Sequence, residues 1–389
     1  MSLAVNRKRR LIAACIIATS IAVVAAALEI IEEEDESNER SFKKQKKEFL
    51  DFMKNNQLYA RHRDPPQHPL VSRIVVDDLF KDPNRNYIHV FTSLFGWEFF
   101  MLADYLKPFI EVSRSDHTKP MGHRMKKDFR SRLYYTLFWL VTRTEYRQME
   151  FYFGWAKSQF ERDIPHVLLA IIRGLDAFIC WPSVAERANM ASMCTGLFRN
   201  CVGIIDANEV FINKSKNSII EASSYSGKAG GNTKKHLAII DRRGMFRFVH
   251  TGTDGGINDR DQFTSSVLYL RKNEFFEEGE FIAADGIYRG DGPVMTSYNA
   301  VQLRNDPDGS RALFNLTFTE YRKGIENAFG RVQNWFPSLG NHVAKWSHDT
   351  RLLSVAFHAA CRLHNWMLHV RNLNYDPTTD PSYVFSPYW

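Results

Sequence analysis

The sequence predicts an α/β protein, a mixed sheet flanked by helices and preceded by an all-helical segment. Three observations carry this. From about Asn86 to Ala191 apolar residues recur at helical spacing, as in WEFFMLADYLKPFI and SRLYYTLFWLVT, with few turn signals. At Cys201 the pattern changes to period two and short apolar runs, beginning with CVGIIDANEVFI. Beyond it the order reads as three strands, helix, strand, variable segment and helix, which suits a mixed sheet between helices. The 389 residues suffice for two domains. The expected divisions are an apolar helix and charged arm over 1–70, a helical domain over 71–200, the sheet domain over 201–370 and a tail over 371–389.

In chain order, NRKRR precedes an uncharged run from Leu11 to Leu28. Its length is at the lower limit for a membrane span, and its AAA sits where a signal peptide would be cleaved. The run is rich in alanine, however, and EIIEEEDESNE follows it directly. These features favour an Ala-rich packing helix over an anchor. Residues 29–70 are acidic first, then basic through KKQKK, and end in RHRDPPQHPL, which reads as an exposed arm.

Within the helical segment, EYRQMEFYFGWAKSQFERDIPHVLLAIIRGL breaks at Gly154 and resumes with Lys157, Arg162 and Arg173. This is the outline of a helix-turn-helix, and equally of an ordinary helical hairpin. After CVGIIDANEVFI, KHLAIID and MFRFVHTG read as two strands joined by a tight turn ending at Gly244. RDQFTSSVLYLR then reads as a helix, EFIAADGIY as a buried strand, and YRKGIENAFGRVQNWF as a helix after a broken polar region.

The cysteines Cys15, Cys180, Cys194, Cys201 and Cys361 include no C-x-x-C pair, against a disulfide framework or zinc ribbon. FHAACRLHNWMLH gathers His358, Cys361, His364 and His369 on one helix. Their apolar neighbours favour core packing over a metal site. The net charge of +7 is compatible with nucleic acid or anionic lipid as a partner.

Three carboxylates stand at positions that open α/β folds use for chemistry. Asp206 ends the apolar run VGIID, Asp285 ends FIAAD, and Glu326 lies on the later helix. On that helix Ile325, Ala328, Phe329, Val332 and Phe336 form an apolar stripe, and Glu326 borders it rather than facing bulk water. Three carboxylates brought together repel unless cations lie between them. Two Mg²⁺ or Mn²⁺ ions held by such oxygens can activate a water or a 3′-hydroxyl against a phosphodiester. The alternative stays open that Asp206 and Asp285 are turn or cap residues and that Glu326 pairs with Arg322 one turn earlier. Asp259 is a further acidic residue, read as a helix cap before RDQF.

Taken together, GIIDANEVFI, YSGKAGGNTKKHLAIIDRRGMF, GTDGGINDRDQF, FIAADGIY, YRKGIENAFGRVQNWFP and AACRLHN resemble, in order, the blocks of PIF/Harbinger-type DDE transposases and their domesticated relatives. The resemblance spans about Asn86 to Leu368. It implies an RNase H-like catalytic domain whose DDE triad is Asp206, Asp285 and Glu326, with 78 and 40 intervening residues. It also implies a helix-turn-helix in the preceding helical region. Where the family usually has glycine after the first aspartate, this chain has Ala207 and Asn208, and residues 286–320 fit the family pattern poorly.

On this reading Asp206, Asp285 and Glu326 are both the catalytic residues and the ligands of two divalent ions. Lys228, Lys234 and Lys235 lie on a Gly-rich loop suited to a DNA backbone. Arg322 and Lys323 hold the scissile strand, and Lys157 and Arg162 contact DNA from the helical region. The expected partner is double-stranded DNA, with a homo-oligomer and a Myb-like helper protein as in many relatives. The expected location is the nucleus, for which NRKRR and KKQKK could serve as signals. The competing readings are a domesticated, non-cutting DNA-binding or scaffold protein, and a membrane-anchored protein using residues 11–28.

Overall fold

A computed structural model describes residues 80, 86–112, 128–142, 144–192, 198–290, 292–340, 346 and 349–373. The apolar run 11–28, both basic pentamers and residues 374–389 lie outside the described residues.

Helices come first: α1 (Asn86–Thr92), α2 (Gly96–Ile110), α3 (Phe129–Thr142), α4 (Tyr146–Phe153), α5 (Lys157–Gly174) and α6 (Val184–Ser192). The helical spacing of the sequence is the cause. On α2 it places Phe99, Leu102, Ala103, Leu106 and Ile110 on one buried face. The break expected at Gly154 is present: Gly154 ends α4 in the left-handed conformation at φ 68°, donating to the Glu150 carbonyl at 2.8 Å. α5 resumes three residues later, so two consecutive helices meet at a glycine turn. Two buried polar contacts cross this layer. The Tyr135 hydroxyl donates to Asp163 at 2.5 Å, and Arg132 donates to the Ile110 carbonyl at 2.8 Å.

The period-two stretch from Cys201 forms β1 (Cys201–Phe211), followed by a short helix α7 (Ser218–Ser224), β2 (Tyr225–Ser226), β3 (Gly231–Ile240) and β4 (Phe246–Asp254). Between β3 and β4 the chain turns where expected. Gly244 has φ 74°, and the Asp241 carboxylate accepts from the Arg243 and Met245 N–H groups and from Arg247 at 2.8 Å.

The helix expected over RDQFTSSVLYLR is instead two, α8 (Asp259–Thr264) and α9 (Val267–Leu270). Ser266 divides them because its hydroxyl caps α9, accepting from the Tyr269 N–H at 3.3 Å. α10 (Lys272–Phe275), β5 (Phe281–Ala284), β6 (Val294–Thr296), α11 (Ala300–Arg304), α12 (Ser310–Trp335) and α13 (Thr350–Leu373) complete the chain.

The sheet runs β4–β3–β1–β5–β6, with β2 paired to the start of β3. β4, β3 and β1 are successively antiparallel, whereas β5 is parallel to β1 and β6 is parallel to β5. One face packs Ile204, Val210, Ala238, Ile240 and Phe246 against Ile325, Ala328 and Val332 of α12 and Phe357, Ala360 and Leu363 of α13. That core continues into α2, α3 and α5. The other face buries Val202, Ile205, Leu237, Ile239, Ile282 and Tyr288 against Phe263 and Leu268.

Side-chain hydrogen bonds on α13 join the helical layer to the sheet. The Asn365 amide accepts from the Phe246 N–H and donates to the carbonyls of Phe246 and Phe178. Arg362 pairs with Asp176 at 2.8 Å, and Arg371 with the fully buried Glu98 at 2.7 Å. The histidine-rich stretch is core, as its apolar neighbours implied. Cys361 and His364 are buried, and burial holds both His358 and His364 down to about 3. His236 of β3 is also down at about 3, fully buried and stacked on Phe357 at 4.0 Å.

A pH dependence follows. These three imidazoles stay neutral in the folded chain and titrate near 6.5 when it unfolds, so below pH 6.5 the unfolded state binds more protons and stability falls as pH falls. Urea unfolding at pH 7.5, 6.5 and 5.5, above most carboxylate titration, is expected to show a loss approaching about 1.4 kcal/mol per pH unit for each histidine once pH is well below 6.5. His236→Phe should flatten the slope, and a parent whose stability is flat over this range would exclude buried neutral imidazoles.

Candidate active site

The site follows from how β1 and β5 are paired. Ile204 of β1 lies opposite Ala283 of β5 in the parallel register, and Asp206 and Asp285 each come two residues later. Two carboxylates therefore stand at the same level, one on the central strand and the other just past the end of its neighbour. Asp285 is exposed, and its side chain accepts from the Gly286 N–H to start a 3₁₀ turn over Gly286–Tyr288. Asp206 is half-buried and accepts from the Ala207 N–H at 2.8 Å. Burial pushes its carboxyl above the ordinary aspartate value, against the Ala207 N–H and the Arg322 guanidinium, which favour the charged form; the charge of Asp259 adds to the rise.

α12 lies across this region, and its stripe of Ile325, Ala328, Phe329 and Val332 is buried as expected. Glu326 itself departs from expectation. It is exposed to solvent, and it makes no hydrogen bond or ion pair among the described residues. The i, i+4 pair with Arg322 is not formed, because Arg322 turns inward and places Nη2 3.6 Å from Asp206. The helix thus brings a cation to Asp206 and leaves its carboxylate at the rim.

The basic residues also sort differently from their sequence neighbourhood. Lys228 alone of the three loop lysines sits on the exposed turn between β2 and β3, where its charge acts on Asp206. Lys234 and Lys235 are on β3. Lys234 is held by Asp254 at 2.5 Å, and the buried Lys235 by Asp259 at 2.8 Å and Glu209 at 3.6 Å. Lys323 pairs with Glu320 at 2.6 Å, and Lys157 with Glu161 at 3.0 Å. Arg162 donates to its own helix at the Ser158 carbonyl, 3.1 Å away. Arg331 faces inward, donating to His364 at 3.3 Å.

Asp259 is not the cap of α8. Asn258 is, its side chain accepting from the Asp261 N–H at 2.8 Å. This frees Asp259 to reach Lys235, and its charge acts on both Asp206 and Tyr288. Sequence reading placed Asp259 by its neighbours and missed this grouping, whose only trace was GGIND ahead of a helix.

Asp206, Asp285 and Glu326 offer hard oxygen donors, the chemistry that Mg²⁺ and Mn²⁺ prefer. Asp206 fits a cation ligand in a second respect, as a half-buried carboxylate whose burial disfavours its charged form, a cost that a divalent ion would offset. Among the described residues no three of His, Cys, Asp and Glu stand close enough together to hold an ion. The donors fit in kind but are not gathered into a set of three among the described residues.

Residues 205–365 match the family described as DDE superfamily endonuclease. The matched stretch begins one residue before Asp206, includes Asp285 and Glu326, and ends at Asn365. Over this stretch the chain is similar to a DDE transposase-like nuclease, a class that hydrolyses phosphodiester bonds. No curated protein and no solved structure matches the chain.

The Lys235 cluster makes a stability prediction. Lys235→Met leaves Asp259 and Glu209 facing each other without their cation and should cost about 3 kcal/mol. Lys323→Met breaks only an exposed pair and should change stability by less than about 1 kcal/mol. Urea midpoints of the two variants, compared at pH 7.5, test the contrast.

Proposed function

We propose that the chain is a PIF/Harbinger-type DDE transposase, or a domesticated relative, which cuts and joins DNA phosphodiester bonds at element ends. The observation that carries this is the placement of Asp206 on the central strand, level with Asp285 at the end of β5, with α12 carrying Glu326 alongside. The sheet order supports an RNase H-like domain: three antiparallel strands, with two parallel strands added beside the first. The helical crossover that the two parallel strands would be expected to have is reduced here to a 3₁₀ turn.

Asp206 and Asp285 would ligate the metal from the strands, and Glu326 would complete the set from α12. Divalent metal, Mg²⁺ or Mn²⁺ as two ions, would supply activation of the attacking water or 3′-hydroxyl and neutralisation of charge at the leaving oxygen. Arg322, relieved of Asp206, is placed to take a phosphate oxygen of the scissile strand. Lys228 reaches the same side from the β2–β3 turn, and its flanking Gly227 and Gly230 let the backbone approach a phosphate closely. The α4–α5 pair, with Lys157 and Arg162, is the proposed helix-turn-helix that positions element ends. Double-stranded DNA, a second copy of this chain and a Myb-like helper are the proposed partners, and the nucleus is the proposed location.

A second reading rests on the Arg322–Asp206 ion pair, since a guanidinium can occupy a cation's place in a protein that binds DNA without cutting it. One experiment separates the two. With Mn²⁺ and a plasmid carrying the element ends, the parent chain should nick DNA, and Asp206→Asn, Asp285→Asn and Glu326→Gln should each reduce nicking by at least about a hundredfold. DNA binding measured by anisotropy should remain within about twofold, since the three carboxylates are not the basic groups that bind phosphate. Undiminished nicking by all three variants would remove the triad assignment, and binding without nicking by the parent would favour the second reading.

A further inference from the structure

α7 is built inside out. The groups it turns inward are polar: Ser224 is buried, and the Asn232 amide of β3 donates to the Ser224 hydroxyl at 2.8 Å and to the Glu221 carbonyl at 2.9 Å. The Ser223 hydroxyl donates to Asp254 at 2.8 Å, and the Gly256 N–H donates to the Ser223 carbonyl at 2.9 Å. A Cβ at Gly255 or Gly256 would stand 2.6 Å from the carbonyl oxygen of Ser224 or Ser223, so the two glycines let the helix settle this closely. The large apolar side chains face the other way. Ile219 is 78% exposed, the most of any large apolar side chain described, Ile220 is 49% exposed, and Tyr225, which follows the helix directly, is exposed as well. A surface helix ordinarily buries its apolar side and shows water its polar one. Here hydrogen bonds fix the helix, and the isoleucines are presented to solvent.

The setting is basic. Lys214 and Lys216 lead into α7, and Lys228 stands on the turn that follows β2. All three are exposed; Lys214 pairs with Glu221 at 2.6 Å, and Lys216 and Lys228 make no ion pair among the described residues. A protein partner would have to desolvate these ammonium groups, and the cores of protein interfaces are depleted of lysine. A phosphate backbone takes them up by releasing counterions, while an apolar tip between them reaches the bases. α7 also lies toward the edge of the sheet where Asp285 emerges, because it follows the end of β1 and β5 runs parallel to β1. From Asp206 to the strand end at Phe211 is five residues, about 17 Å, or the rise of about five base pairs.

We propose that α7 is a wedge for duplex DNA, in which Ile219 and Ile220 part a base step about five base pairs from the carboxylates while Lys214, Lys216 and Lys228 take the flanking phosphates. The bonds to Asn232, Asp254 and Gly256 already hold the helix in place, so insertion demands little further ordering of the protein. A step parted there kinks the duplex and sets which phosphate comes to Asp206 and Asp285. The inference rests on the reading of the chain as a protein that binds DNA.

Replacing both isoleucines, Ile219→Ser with Ile220→Ser, leaves the inward hydrogen bonds of the helix intact, and the urea midpoint should be unchanged. Anisotropy then measures binding of the full chain, without divalent metal, to two short labelled duplexes that differ only by a central two-base mismatch, where unstacking is easier. The parent should bind the mismatched duplex about tenfold more tightly than the matched one. The double variant should bind both alike, and Ile219→Phe should keep the preference. Lys216→Ala should weaken binding to both duplexes by the same factor and flatten the salt dependence. A preference that survives the double variant would overturn the proposal. So would a double variant whose only change is a smaller mass in sedimentation, which would make this face a contact between copies of the chain. Failure of the parent to bind either duplex sinks the DNA reading together with this one, whereas binding without preference sinks the wedge alone.

Discussion

The pairing of β1 with β5, Ile204 opposite Ala283, is the constraint on which the rest of the structure depends. β1 has an antiparallel partner on one side and a parallel one on the other, so its register is set twice. A slip of one residue would exchange Ile204 and Ile205 between two different cores, one under α12 and α13 and the other under α8. The apolar content of both faces therefore fixes where Asp206 comes to lie. Since β5 is short and ends at Ala284, Asp285 emerges at the same level by the same constraint. The site is a by-product of burial on both faces of a sheet.

α12 and α13 convert that register into a three-dimensional position. α12 is long, yet its buried residues begin only at Phe318, so the helix is fastened chiefly from there onward. That stretch carries both Arg322 and Glu326. α13 holds the β3–β4 hairpin through Asn365 and the helical layer through Arg362 and Arg371. The Arg371–Glu98 pair is the more demanding of these, because Glu98 has no exposure and would carry an uncompensated charge without it. A strip of the sheet, its two covering helices and the helices that precede it thus share one continuous interior.

Much of this was legible in the sequence, and the parts that were not share a physical cause. β1 and the β3–β4 hairpin were readable because alternation and a glycine turn are local signals. The buried stripe of α12 was readable for the same reason. β6 was missed because three residues are too few to alternate, and the first turns of α12 because Leu313 and Leu316 are exposed and give no amphipathic pattern. The division of α8 from α9 depends on one serine cap. Charges were the least legible, since their partners are distant in the chain. Arg322, expected to hold the scissile strand or else to pair with Glu326 one turn away, is found with Asp206; Lys235, expected on a loop, is found between Asp259 and Glu209; and Asp259, expected as a cap, leaves that role to Asn258.

Those pairings change what the net positive charge means. Around the site most cations are already committed: Lys234 to Asp254, Lys235 to Asp259 and Glu209, Arg322 to Asp206. Lys228 is exposed on the β2–β3 turn, and Asp285 and Glu326 are exposed as well. A polyanion approaching such a site meets little free positive charge at its centre, and two carboxylates at its edge repel it. Loss of the charge on Asp206 would leave Arg322 without its partner. The guanidinium closest to Asp206 is thus itself held by an ion pair between α12 and β1, and any ligand of Asp206 competes with it.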